Sequence, residues 1–268
     1  MTTLVHRRLS AIGLNRLIDE APEALAMMTD EHRRSLAARF RAVSSPERRR
    51  LDAWIVERAG REGGPFVWTP GSARRTLGNA ALRRLRDGGG PTACGAVNDV
   101  IDEQTVRALS GHARAGSLAH WVSGLTAPVR GLVVAEALNW LHNLYELAAV
   151  IQRPWSVAPS DAYYDVASAR TSLRARRDLV VERDAGSVLL RVRAGAPGPS
   201  AGPGLRADLV IATLSDHEGR APARLLGVWP DAGVVLGVDG TLEDLRAGAR
   251  DLVRAAIVHQ RRHAALAA

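Results

Sequence analysis

The chain contains no lysine. All 36 of the basic side chains in its 268 residues are arginine. Without an ammonium side chain, the protein has no Walker-type phosphate-binding lysine, no Schiff-base lysine and no lysine general base. The abundance of Ala, Gly and Arg is typical of a GC-rich genome, so codon bias and selection both remain explanations of the absence.

Cysteine is almost absent as well. The single thiol, Cys94, excludes a disulfide framework and predicts a cytoplasmic protein in a reducing compartment. The charged opening MTTLVHRRLS has no apolar run, so we expect no signal peptide. The longest apolar stretch, residues 131–151, is interrupted by polar side chains, which predicts a core helix and no membrane partner.

Positive charge is concentrated near the beginning of the chain. The net charge is +8, and residues 1–95 hold 17 Arg against 10 Asp and Glu, whereas residues 96–268 hold 19 against 18. This asymmetry indicates contact with a polyanion or an acidic partner, and the alternative is a solvated arginine-rich surface.

The first 128 residues are expected to form a helical, arginine-rich region. Apolar spacing predicts helices over residues 3–20 and 30–42. Ser45-Pro46 and Thr69-Pro70 are helix-start signals, and the helices that they open are expected to end near residues 58 and 86. Further helical patterns cover residues 93–109, 117–125 and 129–151.

Residues 129–268 are expected to form an α/β domain. After Pro154, short β-type runs cover residues 177–183 and 187–193, and a Gly/Pro/Ala-rich loop covers residues 194–204. A helix, two strands and a last helix follow at residues 205–215, 223–229, 234–238 and 241–263. The fold class predicted is α/β, or α+β mixed, with a mixed sheet flanked by helices.

This order resembles the PD-(D/E)XK nuclease superfamily, in particular its RecB-like branch, over about residues 129–262. In that family an acidic residue on the opening helix, a strand aspartate and an acid-x-lysine strand hold a divalent metal. Glu136 lies within VVAEALNW, and Asp178 lies within RRDLVV, which resembles the aspartate strand. Arg191 stands where the family has the acid and Arg193 where it has the lysine. The resemblance implies a restriction-endonuclease-like fold with vestigial site residues.

The departures from the family pattern imply lost catalysis. Asp178, alone or with Glu136, would hold Mg²⁺ poorly, and Arg193 cannot release a proton near neutral pH. We therefore expect no metal and no cofactor, and we assign no catalytic residue. Mg²⁺ would be needed only by an active nuclease with a rearranged site, made of Asp178, Glu136 and either Glu182 or Asp208.

Two sets of arginines are candidate phosphate contacts. Arg191 and Arg193 are two residues apart on one strand, so both lie on the same sheet face and could bind phosphate. The alternative for them is an outward stripe paired with Asp178 or Asp184. The helix over residues 69–86 carries the second set, and the alternative for it is an ordinary surface helix. Its members are Arg74, Arg75, Arg83, Arg84 and Arg86.

Three functions remain open. The first is a non-catalytic nuclease-like protein that binds nucleic acid, or supports a nuclease or helicase partner, in DNA processing, repair or defence. The second is an adaptor whose arginines meet an acidic protein. The third is the active nuclease with the rearranged site.

Overall fold

The chain forms a mixed α/β structure that divides into two compact units. A computed structural model describes residues 4–24, 26–42, 49–52, 54–58, 67–88, 92–158, 161–166 and 171–267. The first unit comprises Met1–Gly63 with Ile151–Ala268, and the second comprises Gly64–Val150. The predicted fold class, a mixed sheet flanked by helices, is confirmed.

A six-stranded sheet forms the centre of the first unit. Its order is β1-β9-β8-β7-β6-β3, and β7 and β8 are its parallel pair. Every residue of these two strands is buried, as expected of near-continuous apolar runs such as RLLGVW that are covered on both faces. The strands are β1 (Leu4–Arg8), β3 (Trp155–Val157), β6 (Leu179–Val181), β7 (Val188–Val192), β8 (Arg224–Trp229) and β9 (Val234–Asp239).

Helix α8 (Ala201–Ser215) connects the parallel strands, which need a crossover of this kind. It also packs on a second sheet of order β2-β5-β4. The strands of that sheet are β2 (Arg49–Asp52), β4 (Ala162–Val166) and β5 (Thr171–Ala175). Because both sheets cover α8, the helix is apolar on all sides except for a few polar side chains, of which Asp208 is the charged one that is fully buried.

The other helices of the first unit are α1 (Ala11–Asp19), α2 (Asp30–Arg41), α3 (Trp54–Arg58) and α9 (Leu242–Ala267). Helix α9 packs along α8, and α2 lies beside α9. The α9 start is fixed by Thr241, whose Oγ1 accepts the Asp244 N–H at 3.1 Å.

The described part of the second unit consists of helices: α4 (Pro70–Arg86), α5 (Ala93–Leu109), α6 (Leu118–Ser123) and α7 (Ala127–Ala149). Helix α4 packs closely on α7 at Gly78, where an added Cβ would lie 2.6 Å from Trp140 Cδ1. Asn79 Oδ1 accepts the Trp140 Nε1–H at 2.8 Å beside it. The close approach therefore requires glycine at this position.

Two of the predicted N-terminal helices are wrong in part. Within residues 3–20, Leu4–Arg8 forms the edge strand β1, which pairs with β9, and the helix begins after Ser10. Ser10 Oγ accepts the Gly13 N–H at 3.0 Å, so the serine ends the strand and caps the helix. Pairing with a strand more than 200 residues away decided this segment, and local spacing carries no sign of it.

The helix predicted from Ser45-Pro46 to residue 58 fails in the same way. Arg49–Asp52 forms β2, parallel to β5, and of the residues described in this segment only Trp54–Arg58 is helical. The start signal itself lies outside the described residues. The predicted loop over residues 194–204 also ends early, because α8 begins at Ala201.

The predicted boundary after residue 128 falls within the first turn of α7, inside the second unit. Residues 129–150 therefore belong to that unit, and the first unit joins residues from both ends of the chain. Across the described parts of the chain, no helix has the combined length and apolarity needed to cross a membrane.

Candidate functional site

Asp178, immediately before β6, is completely buried. Its Oδ2 accepts the Val192 N–H at 2.8 Å, and its own N–H donates to the Leu190 carbonyl at 3.0 Å. The carboxylate thus replaces a backbone carbonyl as the hydrogen-bond acceptor, and this bond connects the end of β7 to the residue before β6. A buried amide without an acceptor would cost about 1–3 kcal/mol, so this contact has a structural role of its own.

Arg191 of β7 and Asp208 of α8 form a buried ion pair. Their side chains are 6% and 1% exposed, and the Arg191 guanidinium lies directly against Asp208 Oδ2. In the strand register Arg191 faces Gly227 of β8. Because removing one partner would leave an uncompensated charge in the core, the two residues depend on each other. The outward position expected in the alternative interpretation is therefore wrong for Arg191, whose side chain is buried.

Arg193 forms a second, bidentate pair with Glu57 of α3. Its Nη1 donates to Glu57 Oε1 at 2.5 Å, and its Nη2 donates to Oε2. The guanidinium also lies 5.3 Å from the ring centroid of Trp229. Gly204 makes room for this pair, since a Cβ there would lie 2.2 Å from Glu57 Oε1. Arg191, Asp208, Arg193 and Glu57 are called the β7 charge cluster below.

Arg193 does not exchange a proton near neutral pH, so it cannot serve the β7 charge cluster as an acid or a base. Burial lowers the pKa of Arg193 to about 10, and the carboxylate of Glu57 favours the charged form. Arg193 therefore stays a cation in the neutral range. It can balance Glu57 but cannot accept a proton from water or from a substrate hydroxyl.

The residues at this position do not fit a divalent metal. Mg²⁺ requires several oxygen ligands, whereas Asp178 Oδ2 accepts a backbone amide and Asp208 lies against a guanidinium. Glu136 belongs to the second unit, where its Oε2 lies 3.1 Å from Arg74 Nη1. In the part of the chain that the structure describes, no three His, Cys, Asp or Glu side chains gather as a metal site would need.

The arginine helix predicted at residues 69–86 is α4, with a capping box between Thr69 and Ser72. Arg74 pairs with Glu136 and lies 5.7 Å from the Trp140 ring centroid, and Arg84 pairs with Asp99 at 3.4 Å and with Glu103. Arg75 and Arg83 are half-buried and Arg86 is exposed, and each of these three side chains also has an interaction partner.

A cavity of about 520 Å³ lies at the other end of β7, around the β6–β7 turn. Glu182 and Asp184 line it, together with Arg183, which donates to the Ala21 carbonyl at 2.9 Å. The rearranged nuclease site needs an acid close to Asp178, but Glu182 lies at the far end of the strand pair and Asp208 is held by Arg191. Within the first unit, therefore, neither Glu182 nor Asp208 is placed to share a metal ion with Asp178.

Sequence reasoning missed the carboxylates that pair with the two β7 arginines. The sequence does carry a sign of the role of Asp208. This acid directly precedes the apolar run LVIATL, and a single charge in a buried helix needs a partner. Glu57 has no such sign, since it lies 136 residues from Arg193 in a five-residue helix.

No family model matches the chain, and no curated protein or solved structure compared with it matches either.

Proposed function

We propose that this protein is a non-catalytic, nuclease-like protein that acts by binding nucleic acid. The observation that carries the proposal is the buried Arg191–Asp208 pair. It lies on the strand to which the resemblance assigns the acid-x-lysine residues. The order β6, β7, α8, β8 also agrees with the order that the resemblance implies.

Loss of cleavage follows from the partners of these side chains. A metal-dependent nuclease uses carboxylates to hold an ion that activates water and neutralises charge in the transition state. Here Asp178 serves a backbone amide and Asp208 serves a guanidinium. Arg193 supplies positive charge but no titratable base. Arg191 and Arg193, which stand at the family's acid and lysine positions, each form an ion pair in the β7 charge cluster, with Asp208 and Glu57 respectively.

Nucleic-acid binding is assigned to α4. Its apolar face, with Leu77 and Ala81, is buried in the second unit, and Arg75, Arg83 and Arg86 fall within one quadrant of the helical wheel. Arginines in this arrangement suit phosphates spaced along a nucleic-acid backbone. Arg191 and Arg193 are buried against Asp208 and Glu57, so we expect no contribution to binding from them.

The setting that we propose is cytoplasmic, in DNA processing, repair or defence. Cys94 is a free, exposed thiol, which suits a reducing compartment. By holding nucleic acid on α4 without cutting it, the protein would position a substrate for a nuclease or helicase partner.

The test is a salt-titrated binding assay with labelled DNA and RNA, with and without Mg²⁺ and Mn²⁺, in which the same samples are examined for cleavage. We expect affinity that falls steeply with salt and no cleavage. Arg83→Gln/Arg86→Gln should weaken duplex binding about tenfold and reduce the salt slope by about 2. The matched double variant Arg107→Gln/Arg114→Gln, at exposed positions in the same unit, should bind like the parent protein.

Two results would contradict the proposal. Metal-dependent cleavage that disappears in Asp178→Ala would make the protein an enzyme. Absence of binding to any nucleic acid at low salt would remove the binding function.

A further inference from the structure

A groove between α2 and α9 in the first unit has an apolar floor and a basic rim. Its volume is about 350 Å³. Met28, Leu36 and Leu245 form the buried part of the floor, and Met27 and Leu242 extend it to the surface, where they are 46% and 45% exposed. Met27 and Met28 are the only methionines after Met1, and both line this groove. It is called the α2–α9 groove below.

Arginines form the charged rim of the groove. Arg39 from α2 and Arg246 and Arg250 from α9 are exposed along its edges, together with the half-buried His32, and none of the described residues that line the groove is acidic. In the described ranges, none of these three arginines forms an ion pair with a carboxylate. They differ in this respect from the arginines of the β7 charge cluster.

The lining residues repeat at helical spacing. On α2 they are residues 32, 35, 36 and 39, and on α9 they are residues 242, 245, 246, 249 and 250. Each set forms one stripe along its helix, so the groove runs between two helices for about 12 Å at 1.5 Å per residue. That length corresponds to roughly two turns of a third helix.

We propose that the α2–α9 groove binds an acidic amphipathic helix of a partner protein. The apolar face of such a helix would cover Met27, Met28 and Leu242, and its flanking carboxylates would meet Arg39, Arg246 and Arg250. Flexible methionines adapt to different apolar side chains and are common in peptide-binding grooves. Nucleic acid would leave the apolar floor exposed. A fatty acid would pair with one arginine and leave the others without a counter-charge.

This inference does not depend on nucleic-acid binding. The groove belongs to the first unit, whereas α4 belongs to the second. It gives the protein a docking site for a partner in addition to the proposed nucleic-acid contact.

The test uses a fluorescein-labelled synthetic peptide of about 18 residues, with leucines at three- and four-residue spacing and glutamates on the flanks. Binding is measured by fluorescence anisotropy on the full chain at physiological salt. A peptide of identical composition, scrambled so that its leucines no longer share one face, is the control ligand. We expect the amphipathic peptide to bind at least about tenfold more tightly than the scrambled one.

The protein variants separate docking from general attraction. Arg39→Glu/Arg246→Glu/Arg250→Glu should weaken peptide binding by about tenfold or more. Arg34→Glu/Arg107→Glu/Arg114→Glu changes the net charge equally at exposed positions outside the groove and should leave affinity within about twofold. Leu242→Ser should weaken binding about threefold through the floor alone. Arg83→Gln/Arg86→Gln should bind the peptide normally, which separates this site from α4.

Several outcomes would overturn the inference. Equal losses in the two charge-reversal variants, or equal binding of the scrambled peptide, would show non-specific attraction. Displacement of the peptide by duplex DNA would make the groove a phosphate-binding surface, and displacement by dodecanoate at an equal concentration would make it a lipid site.

Discussion

The arginines at the end of β7 and those beside the α2–α9 groove have the same chemistry and opposite surroundings. Arg191 and Arg193 each have a carboxylate from another helix, Asp208 of α8 and Glu57 of α3. Arg39 and Arg246 are exposed at the rim of an apolar groove, and no acidic side chain is among the described residues that line it. In a chain whose cations are all arginine, the carboxylates decide which of them stabilise the fold and which remain available to a ligand.

This contrast explains why residue type and strand position were insufficient to assign a role. A strand that presents two arginines on one face is a reasonable phosphate site if that face is open. Here α8 and α3 cover the face, so the same two residues become part of the core.

Asp208→Ala should lower the free energy of unfolding by about 3–5 kcal/mol, because it leaves the Arg191 guanidinium buried without its partner. Urea denaturation followed by circular dichroism measures the loss. Asp251→Ala is the matched control: it removes another Arg–Asp pair of α8 and α9, at 3.1 Å, whose side chains are 16% and 23% exposed. That control should cost about 1 kcal/mol or less. Similar losses in both variants would contradict the special role of the buried pair.

Gly204→Ala should lower stability by about 1–3 kcal/mol. The new Cβ would lie 2.2 Å from Glu57 Oε1, so Glu57 must withdraw from Arg193. Gly202→Ala, in the same turn of α8, is the control, because its Cβ would meet only the mobile end of Leu4 at 3.2 Å. Thermal unfolding should rank the parent and Gly202→Ala together, above Gly204→Ala. The opposite ranking would show that Glu57 and Gly204 are not coupled.

The prediction from sequence succeeded where the local pattern and the environment agree. The strand pair at residues 177–193 and the helix that ends at residue 215 appear within a few residues of their expected bounds, because buried apolar runs and a glycine turn mark them. It failed at β1 and β2, where pairing with β9 and β5 overrode the apolar spacing.

The candidate site was predicted less well than the fold. Asp178, Arg191 and Arg193 do lie close together at the end of the β6–β7 pair. Their partners could not be predicted, because Glu57 and Asp208 reach them through packing of helices on the sheet and have no fixed sequence spacing. The groove was missed entirely, since its two stripes lie on helices about 200 residues apart.

Arg246→Gln/Arg250→Gln should change the free energy of unfolding by less than about 0.5 kcal/mol, since both side chains are exposed at the groove. The same denaturation assay applies. A decrease of more than about 1 kcal/mol in the free energy of unfolding would mean that these arginines stabilise the fold and are not available to a partner.

The smallest expected effect is a pH dependence that is absent near neutrality. The stability difference between the parent and Arg193→Met should stay constant from about pH 7.5 to about pH 9.5, because the pKa of Arg193 is lowered by burial only to about 10. Above that pH the folded protein releases the Arg193 proton before the unfolded chain does. The unfolded state then binds more protons, so the stability of the parent should rise relative to the variant. If the stability difference instead changed with a midpoint between about pH 7.5 and about pH 9.5, Arg193 would not be a cation near neutral pH.

The most direct test of the account is a double-mutant cycle with Arg191→Met, Asp208→Leu and the combined variant, measured by urea denaturation. The account predicts that each single change costs about 3–5 kcal/mol and that the combined variant is at least about 2 kcal/mol more stable than the sum of the single losses implies. If the two losses add to within about 0.5 kcal/mol, Arg191 and Asp208 are not a closed pair, and the end of β7 must be considered again as an open site.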